Sequence, residues 1–204
     1  DCDPNVQREL SEFFTFYVPG YKFMPAFRNR MWDGKIRLFS QKTKEIYFGL
    51  FPYIKAFAEE REYHIVCGKD VEVKNKVDKD IVEKFSNSLG QKFEARDYQV
   101  DAIYHSLKYN RALLLSPTAS GKSFIIYALI RYYTHLIKDE TNNRILLIVP
   151  TTSLVEQMYS DFKSYGWNVE KNCHRLYSGY SNQTDKKVLI STWQSLYKLP
   201  KEYF

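Results

Sequence analysis

Apolar residues in the first 90 positions follow a mixed pattern, scattered among charges and polar groups. Some segments place apolar residues on one side of a helix, and shorter segments alternate as strands do. We predict helices over residues 6–17 and 53–62, and strands over residues 34–40, 45–51 and 63–68. This combination predicts a small α+β domain.

From Phe93 onward the pattern changes, because short runs of apolar residues alternate with amphipathic segments. Apolar strands that alternate with helices predict an α/β fold with a parallel sheet and helices on both faces. We predict helices over residues 96–110, 122–137 and 153–166, and strands over residues 111–116, 144–150, 173–179 and 187–193.

A charge-rich stretch, residues 69–92, separates the two patterns and is helix-like in its second half. We interpret it as a connector that ends near Gly90. The predicted domains are residues 1–90, connector included, and residues 91–204. A length of 204 residues with 44% hydrophobic residues allows two small packed domains.

The charge of the chain is concentrated in one window. The formal net charge is +6, and residues 20–44 account for all of it, with Asp33 as the one acidic residue. The basic residues of this window are Lys22, Arg28, Arg30, Lys35, Arg37, Lys42 and Lys44. Such a stretch attracts polyanions, because each phosphate contact releases counterions. A solvated surface explains the same charges equally well.

The three cysteines, Cys2, Cys67 and Cys173, are far apart and form no Cys-x-x-Cys motif. This spacing indicates neither a zinc site nor a disulfide framework, and favours a reducing compartment such as the cytoplasm. No apolar run approaches the roughly 20 residues that span a bilayer, so no membrane partner is expected. Because the chain begins with Asp1, a removed N-terminal segment is compatible with the sequence.

The stretch Ser116–Ser123, SPTASGKS, matches the phosphate-binding pattern G-x-x-x-x-G-K-[S/T] except at Ser116. It lies between a predicted strand and a predicted helix, where loop amides and a helix N-terminus can bind phosphate. Lys122 would reach the outer phosphates, the Ser123 hydroxyl would bind Mg²⁺, and Gly121 would allow close approach. The first glycine matters least, since that position need not take a positive φ.

The acidic residues that would complete a magnesium site do not follow any predicted strand. Asp139–Glu140 follow a helix and precede a strand, so we expect a solvated loop there. The last strand ends shortly before Phe204, and we place the acidic strand beyond that residue. An ordinary strand–turn–helix is the alternative interpretation of Ser116–Ser123.

Four short motifs occur in the order found in superfamily two helicases. Residues 96–102, RDYQVDA, resemble the adenine-reading Q motif, and SPTASGKS resembles motif I, whose first glycine is often replaced. Residues 149–158, VPTTSLVEQM, resemble motif Ia, and residues 190–196, ISTWQSL, resemble the next DNA-contacting motif. Together they cover residues 93–197 and imply a RecA-like P-loop domain.

Residues 20–39, GYKFMPAFRNRMWDGKIRLF, resemble the N-terminal domain of the UvsW-type branched-DNA helicases of tailed phages. This family resemblance implies an ATP-driven enzyme, with ATP and Mg²⁺ as cofactors. Its expected partner is branched or duplex DNA, or an RNA–DNA hybrid, in recombination, repair and replication control. The family has a second RecA-like domain and an Asp-Glu motif, so we interpret the chain as an N-terminal fragment, monomeric and poorly active alone.

The resemblance assigns nucleotide contacts to the Q motif and the loop. Gln99 is expected to hydrogen-bond the adenine edge, with Arg96 beside it and Phe93 stacking on the ring. Core packing is an equally good explanation for Phe93. The complete expected set is Phe93, Arg96, Gln99, Thr118, Ala119, Ser120, Gly121, Lys122 and Ser123, of which the last two have the catalytic roles.

Nucleic-acid contacts are expected from both regions. Hydroxyls and amides just after the strands of a parallel sheet can hold phosphates without reading sequence. The candidates are Thr151, Thr152, Gln157, Thr192 and Gln194 in the second region, and Arg28, Arg30, Trp32, Lys35 and Arg37 in the first. For Trp32, packing of the turn is favoured over a wedge at a branch point. Trp193 either stacks on a base or packs in the core.

A two-residue hairpin turn is predicted at Asp33–Gly34. It would place Lys35 and Arg37 on one face of the following strand, because side chains alternate along a strand.

Three functions remain open from the sequence. The first is an ATP-dependent DNA helicase or translocase. The second is a P-loop kinase or other phosphotransferase, which gives no reason for the segment PTTSLVEQ. The third is a nucleic-acid-binding module that keeps a vestigial phosphate loop.

Overall fold

The computed structural model describes residues 2–68, 75–137, 143–200 and 203. Asp139 and Glu140, for which a solvated loop was predicted, lie outside these ranges. The chain divides by its contacts into two units, Asp1–Val71 and Glu72–Phe204. Within the described part, no helix is both long and apolar enough to cross a membrane.

The first unit contains short elements joined by tight turns. Its helices are α1 (Pro4–Phe13), α2 (Pro25–Arg28) and α3 (Phe51–Glu60), and 3₁₀ turns lie at Tyr21–Phe23 and Phe48–Leu50. Its strands are β1 (Thr15–Tyr17), β2 (Lys35–Arg37), β3 (Phe39–Ser40) and β4 (Glu45–Ile46). β1 pairs with β2 and β3 with β4, both antiparallel.

Several predicted boundaries in this unit are wrong. The predicted helix 6–17 ends at Phe13, because Thr15–Tyr17 pair with β2 instead. The predicted strand 45–51 is a strand only at Glu45–Ile46, and the next turn leads into α3. Residues 63–68 form no strand, since they pair with no other described segment. The structure of these short segments depends on whether a partner strand is available, and not on their local pattern alone.

The prediction of a two-residue hairpin turn at Asp33–Gly34 is also wrong. The amide of Val18 donates to the carbonyl of Gly34 at 2.9 Å, which closes a long loop rather than a tight turn. We call residues 18–34 the β1–β2 loop. Lys35 and Arg37 do lie on one face of β2, and they line the same surface depression.

Aromatic packing holds the first unit together. Phe14, Phe39 and Phe57 are buried, and the rings of Phe13 and Phe57 lie 5.2 Å apart. The guanidinium of Arg61 lies 4.1 Å from the centre of the Phe57 ring and pairs with Glu9 on α1 at 3.3 Å. These contacts attach α3 to α1.

The second unit contains a parallel sheet, as predicted. Its helices are α4 (Lys79–Asn87), α5 (Asp97–Tyr109), α6 (Lys122–Leu136), α7 (Thr152–Ser164), α8 (Val169–Asn172) and α9 (Trp193–Leu196). Its strands are β5 (Ile145–Val149), β6 (Cys173–Leu176) and β7 (Val188–Thr192), in the order β5-β7-β6 with both pairs parallel.

The predicted strand 111–116 is not a strand, although its sequence is apolar. Among the described residues it pairs with no other strand, and Leu113 and Leu115 are 85% and 91% exposed. A strand is stabilised by hydrogen bonds to an adjacent strand, so apolar composition alone does not form one. Leu114, between them, packs against the core and carries the chain to the following loop.

The core of this unit lies between the sheet and the three long helices. Ile103 of α5, Tyr127 of α6 and Phe162 of α7 are almost completely buried. The hydroxyl of Tyr127 donates to the carbonyl of Leu89 at 3.1 Å, and Val82 of α4 joins the same core. Helix α4, assigned to the connector by its sequence, therefore packs within the second unit.

Candidate nucleotide and nucleic-acid sites

The loop before α6 turns sharply at two left-handed residues. Ala119 has φ 64° and Gly121 has φ 76°, and the amide of Ser120 donates to the carbonyl of Pro117 at 3.4 Å. Within the described chain, the amides of Thr118, Ala119 and Gly121 donate to no backbone carbonyl. Successive amides freed in such a turn form an anion-binding concavity, to which the N-terminus of α6 adds its dipole.

Lys122 follows Gly121 and folds back on the carbonyls of the same loop. Its ammonium group donates to the carbonyls of Pro117 at 2.6 Å and Ser116 at 3.2 Å. Ser116 itself does not take a positive φ. A serine therefore replaces the usual first glycine of the motif without backbone strain.

Gly121 is required for steric as well as conformational reasons. A Cβ atom at this position would lie 2.3 Å from Nε2 of Gln99. Gln99 is only 4% exposed, and its amide bridges two segments. Oε1 accepts from the amide of Arg96 at 3.0 Å, and Nε2 donates to the carbonyl of Ser120 at 3.1 Å. Gln99 thus ties the start of α5 to the phosphate loop.

The expected adenine contact of Gln99 stays a prediction, and the hydrogen bonds leave room for it. A glutamine amide has two donors and two acceptor lone pairs, and only one of each is used here. Arg96 is exposed and donates to the hydroxyl of Tyr98 at 2.9 Å. Tyr98 in turn donates to the carbonyl of Ser120 at 3.1 Å, a loop contact that sequence reasoning missed.

Phe93 is 45% exposed and partly packed, and its expected stacking on adenine stays a prediction. Its ring meets the edges of Phe124 at 5.2 Å and Tyr165 at 5.9 Å, so part of it is packed while the rest is open. Burial raises the pKa of Tyr165, and a hydrogen bond with the Ser123 side chain opposes that shift. Tyr165, also missed from the sequence, connects Ser123 with the end of α7.

A second set of candidates gathers at the carboxyl edge of the sheet. The register places Val149 of β5 opposite Thr192 of β7, so the segments that follow leave the sheet side by side. Thr151 accepts from the amide of Leu154 at 3.3 Å and begins α7. The neighbouring candidates Thr152, Gln157 and Gln194 are exposed.

Thr192 and Trp193, at the end of β7, differ from each other in exposure. Thr192 is buried, and its hydroxyl lies 3.1 Å from that of Ser195, so its side chain is engaged within the protein. Trp193 is 57% exposed and meets Tyr197 edge-on at 6.2 Å. Most of the Trp193 ring is therefore accessible, unlike a core residue.

The basic candidates of the first unit are not equivalent. Arg28 and Arg30 are exposed, and Lys35 is half-buried with its ammonium 4.8 Å from the centre of the Tyr17 ring. Arg37 pairs with Asp33, and its hydrogen bond holds the pKa of that carboxyl below its usual range. Trp32 donates from Nε1 to the carbonyl of Lys35 at 2.9 Å, a contact that fastens the loop.

Comparisons with known proteins agree on the family. A model described as "DNA helicase UvsW, N-terminal" matches residues 1–68, and one described as "Type III restriction enzyme, res subunit" matches residues 92–203. A crystal structure of the UvsW helicase from bacteriophage T4 superimposes with a TM-score of 0.87 at 33% identity, over 100% of this chain and 74% of that one. The chain belongs to the UvsW helicase family.

Two proteins and a second crystal structure are also similar to this chain. The ATP-dependent DNA helicase uvsW of Enterobacteria phage T4 is 33% identical over the whole chain, which spans 41% of that helicase. A second T4 UvsW structure matches with the same TM-score and spans further residues, so the chain covers 42% of it. The endoribonuclease Dicer of Danio rerio is 33% identical over 73 residues, which are 36% of this chain and 4% of Dicer.

In this member of the UvsW family, the phosphate loop fits the phosphates of a nucleotide. In the described part of the chain, the hydroxyl of Ser120 is buried without a hydrogen-bond partner, and the amides of Thr118, Ala119 and Gly121 donate to no backbone carbonyl, so donors are available for phosphate oxygens. The described residues hold no group of three or more His, Cys, Asp or Glu side chains that could bind a metal ion. The expected role of Ser123, to hold magnesium together with the phosphates, stays a prediction.

A third segment ends at the same sheet edge and was not predicted as part of the site. Leu176 of β6 lies opposite Ser191 of β7, so the turn beginning at Tyr177 emerges beside residues 193–194. The Tyr177 hydroxyl donates to Glu156 of α7 at 2.7 Å, and Arg175 donates to the same carboxylate at 2.6 Å. No sequence motif signalled this contact, since its residues are far apart in the chain.

Glu156, Arg175 and Tyr177, which we call the Glu156 cluster, also have aromatic neighbours. The guanidinium of Arg175 lies 4.2 Å from the centre of the Tyr159 ring and 4.7 Å from that of the Tyr180 ring. Burial acts to raise the pKa of Glu156, but the hydrogen bonds from Tyr177 and Arg175 lower it overall. The hydrogen bond to Glu156 in turn raises the pKa of Tyr177. The cluster fixes α7 against the end of β6.

Proposed function

We propose that this chain is the nucleotide-binding and DNA-binding part of an ATP-dependent helicase or translocase that acts on branched DNA, in recombination, repair and fork remodelling. The observation that carries the proposal is the phosphate loop, with amides that donate to no described backbone carbonyl, two left-handed residues, and Lys122 in contact with the loop. Family membership supports an ATP-driven enzyme, with RNA–DNA hybrids as a further substrate and a monomer as the working form.

The nucleotide would be bound from two sides. The amides of Thr118–Gly121 and the Lys122 ammonium hold the phosphates, while Gln99, Arg96 and Phe93 lie beside the loop and contact the base. Bound Mg²⁺–ATP supplies a phosphoanhydride whose hydrolysis releases the free energy for movement. Within this chain, Lys122 withdraws negative charge from the outer phosphates, and the hydroxyl of Ser123 binds the metal.

DNA would be held through its phosphates at two places. At the sheet edge of the second unit, Thr151, Thr152, Gln157 and Gln194 present hydroxyls and amides that bind phosphate oxygens without reading sequence. Thr192 contributes mainly by fixing the turn, because its hydroxyl is already engaged. The exposed arginines of the first unit supply the electrostatic attraction.

The decisive experiment is Lys122→Ala in the protein at its natural length. We expect DNA-stimulated ATP turnover to fall by about a hundred-fold or more, because the substitution removes a charge aimed at the transferred phosphoryl group. Lys171→Ala is the matched control, since Lys171 is an exposed lysine on α8. Unchanged turnover in Lys122→Ala would contradict the proposal.

The two other functions give different results in the same assay. A vestigial loop predicts DNA binding that is indifferent to ATP and unaffected by Lys122→Ala. The contacts of Lys122 with the carbonyls of its own loop are compatible with this outcome. A phosphotransferase predicts ATP turnover that requires a small acceptor and no nucleic acid.

A further inference from the structure

Glu156 brings a carboxylate to the carboxyl edge of the sheet, where DNA phosphates are proposed to bind. Three segments leave the sheet at this edge, residues 150–157 after β5, 177–181 after β6 and 193–197 after β7. Glu156 is the one acidic residue in their sequences, which contain no lysine or arginine. A free negative charge here would repel a phosphate group, because like charges brought together are unfavourable.

The position of Glu156 on α7 places its charge beside the proposed phosphate contacts. Glu156 lies one helical turn after Thr152 and directly before Gln157. Residues four apart on a helix are neighbours on its surface, so Thr152 and Glu156 share one face of α7. The Glu156 side chain is 43% exposed. Its charge is therefore able to act on a phosphate bound at Thr152 or Gln157.

Both oxygens of this carboxylate are engaged by β6 and the turn after it. Oε2 accepts from the guanidinium of Arg175 at 2.6 Å, and Oε1 accepts from the hydroxyl of Tyr177 at 2.7 Å. Tyr177 is a neutral donor, whereas Arg175 carries a positive charge. Of these two partners, Arg175 is the one that offsets the charge of Glu156.

Aromatic side chains hold Arg175 in this position. Its guanidinium is 4.2 Å from the centre of the Tyr159 ring and 4.7 Å from that of Tyr180, distances at which a cation is attracted to a ring. The amide of Tyr180 donates to the carbonyl of Tyr177 at 3.0 Å and closes the turn that carries the second ring. The Arg175 side chain is 26% exposed, so most of it is enclosed by these neighbours.

The pair of Glu156 and Arg175 contributes little to the stability of the fold, because both side chains are partly exposed to solvent. Its effect on a bound polyanion is of a different kind. Together the two side chains carry no net charge, but without Arg175 the sheet edge keeps one negative charge next to Thr152. A contact that adds little to folding therefore changes the affinity for phosphate.

We propose that Arg175 is a positioning residue of the nucleic-acid site at the sheet edge, where it holds Glu156 and offsets its charge so that DNA phosphates bind at Thr152 and Gln157. This inference rests on the proposed function and adds to it a residue that does not itself contact the DNA. Tyr177 holds the same carboxylate but leaves its charge unchanged.

The test measures the Kd of a labelled oligonucleotide of about 12 thymidines by fluorescence anisotropy, at about 0.05 M and about 0.5 M salt. Arg175→Met, Glu156→Gln and the double variant that combines them are compared with the parent chain. Methionine keeps much of the length and apolar contact of arginine without its charge. Urea unfolding of each variant measures its stability in parallel.

We expect Arg175→Met to weaken DNA binding by about two- to ten-fold at the lower salt concentration, because Glu156 is left unpaired. Glu156→Gln should strengthen binding by about two- to five-fold, because it removes the negative charge and leaves Arg175 in place. The double variant should return to within about two-fold of the parent. Both single-variant differences should become smaller at the higher salt concentration, which screens charges.

A purely structural role of the pair gives a different pattern. Both single variants would then lose stability and DNA affinity together, whereas we expect Glu156→Gln to lose stability and gain affinity. Arg175→Lys keeps the charge and should bind DNA like the parent. Lys163→Met is the matched control, because Lys163 also pairs with a glutamate, Glu170 at 3.3 Å. It lies about 16 Å from Thr152 along α7, so its removal should change DNA binding less.

Three outcomes would overturn the inference. They are weaker DNA binding by Glu156→Gln than by the parent, parent-like binding by Arg175→Met at the lower salt concentration, and differences that do not depend on salt. If Arg175→Met does not fold, the direction of the change in Glu156→Gln decides. A parent chain that does not bind the oligonucleotide contradicts the proposed function itself, and the inference with it. The ATP-driven activity is tested separately with Lys122→Ala.

Discussion

The phosphate loop and the β1–β2 loop are both connections that we propose to bind phosphate groups, yet they are built in opposite ways. The phosphate loop uses backbone amides around Ala119 and Gly121, with a single cation, Lys122. The β1–β2 loop uses charged side chains and exposed apolar groups on a backbone held by aromatic packing. The first is suited to one compact triphosphate, and the second to an extended polyanion.

This difference explains why one loop has a recognisable sequence motif and the other does not. Backbone amides point inward only if particular residues take left-handed angles, which restricts the sequence to glycine and small residues at fixed spacing. Side chains on a loop can reach a polyanion from many positions, so only the local excess of charge is visible. Motif strength therefore reflects how strongly the chemistry depends on backbone geometry.

The sharpest test of the comparison uses one glycine in each loop. Gly121 and Gly20 both precede a helical turn with positive φ, at 76° and 73°. Gly121→Ala should lower the free energy of unfolding by about 2–4 kcal/mol and abolish nucleotide binding. The positive φ strains an alanine, and the new Cβ would displace buried Gln99. Gly20→Ala should cost about 1–2 kcal/mol, because the space around it is open.

Urea unfolding and binding of a fluorescent ATP analogue measure the two effects. Gly49→Ala is the control, since Gly49 has neither a positive φ nor a neighbour within 4 Å. Equal losses of unfolding free energy at Gly121 and Gly20 would show that the contact with Gln99 does not contribute to the effect at Gly121. The phosphate loop would then tolerate substitution as the β1–β2 loop does.

A second prediction concerns the support of the phosphate loop. Gln99→Ala removes two hydrogen bonds of a buried side chain and should lower the free energy of unfolding by about 1–3 kcal/mol. Tyr98→Phe removes two hydrogen bonds of a more exposed side chain and should lower it by about 0.5–1.5 kcal/mol. Both ATP and GTP should bind more weakly to Gln99→Ala, and ATP should lose more if the remaining amide groups contact adenine. An unaltered affinity for both nucleotides would show that Gln99 does not contribute to nucleotide binding.

The smallest expected effect is pH-dependent and lies outside both loops. The lowered pKa of Glu156 means that its charged form stabilises the fold above the usual glutamate pKa of about 4.3, and that this contribution is lost as pH falls through the lowered value. Glu156→Gln should therefore reduce stability at pH 7 by less than about 1 kcal/mol, because the pair is partly exposed.

Unfolding of Glu156→Gln and the parent protein between pH 7 and pH 3 measures this contribution. The difference in free energy of unfolding between the two proteins should become smaller toward acidic pH. Tyr177→Phe is the companion variant, since it removes one hydrogen bond and keeps the charge. A difference that grows as pH falls would contradict the sign of the Glu156 shift.

Long periodic segments were predicted best from the sequence. Helices α5, α6 and α7 and strands β5 and β7 lie within a few residues of their predicted bounds, because their apolar periodicity and their packing require the same structure. Short segments were predicted worst. Residues 15–17 continued a helical pattern but pair with β2, and residues 111–116 are apolar but lack a partner strand.

In the candidate site, too, features that depend on neighbouring residues were predicted, and contacts between separate elements were not. The motif around Ser116–Ser123 indicated the loop, its lysine and the dispensable first glycine, because these depend on residues that are adjacent in the chain. The positions of Tyr98 and Tyr165 beside the loop, and the Glu156–Arg175–Tyr177 cluster, depend on residues brought together from separate elements. No local pattern encodes such contacts.

The family came from the resemblance of the motifs, whereas the sequence by itself determined the parallel sheet of the second unit and the position of the phosphate loop. It did so because periodic burial and left-handed turns restrict which residues can follow one another. Only the tertiary structure decided which basic residues stay unpaired, with Arg37 bound to Asp33 while Arg28 and Arg30 remain exposed. It also decided that Phe23 and Met31 face solvent, because burial depends on which side chains fill the space between elements, and that is settled only when the elements pack.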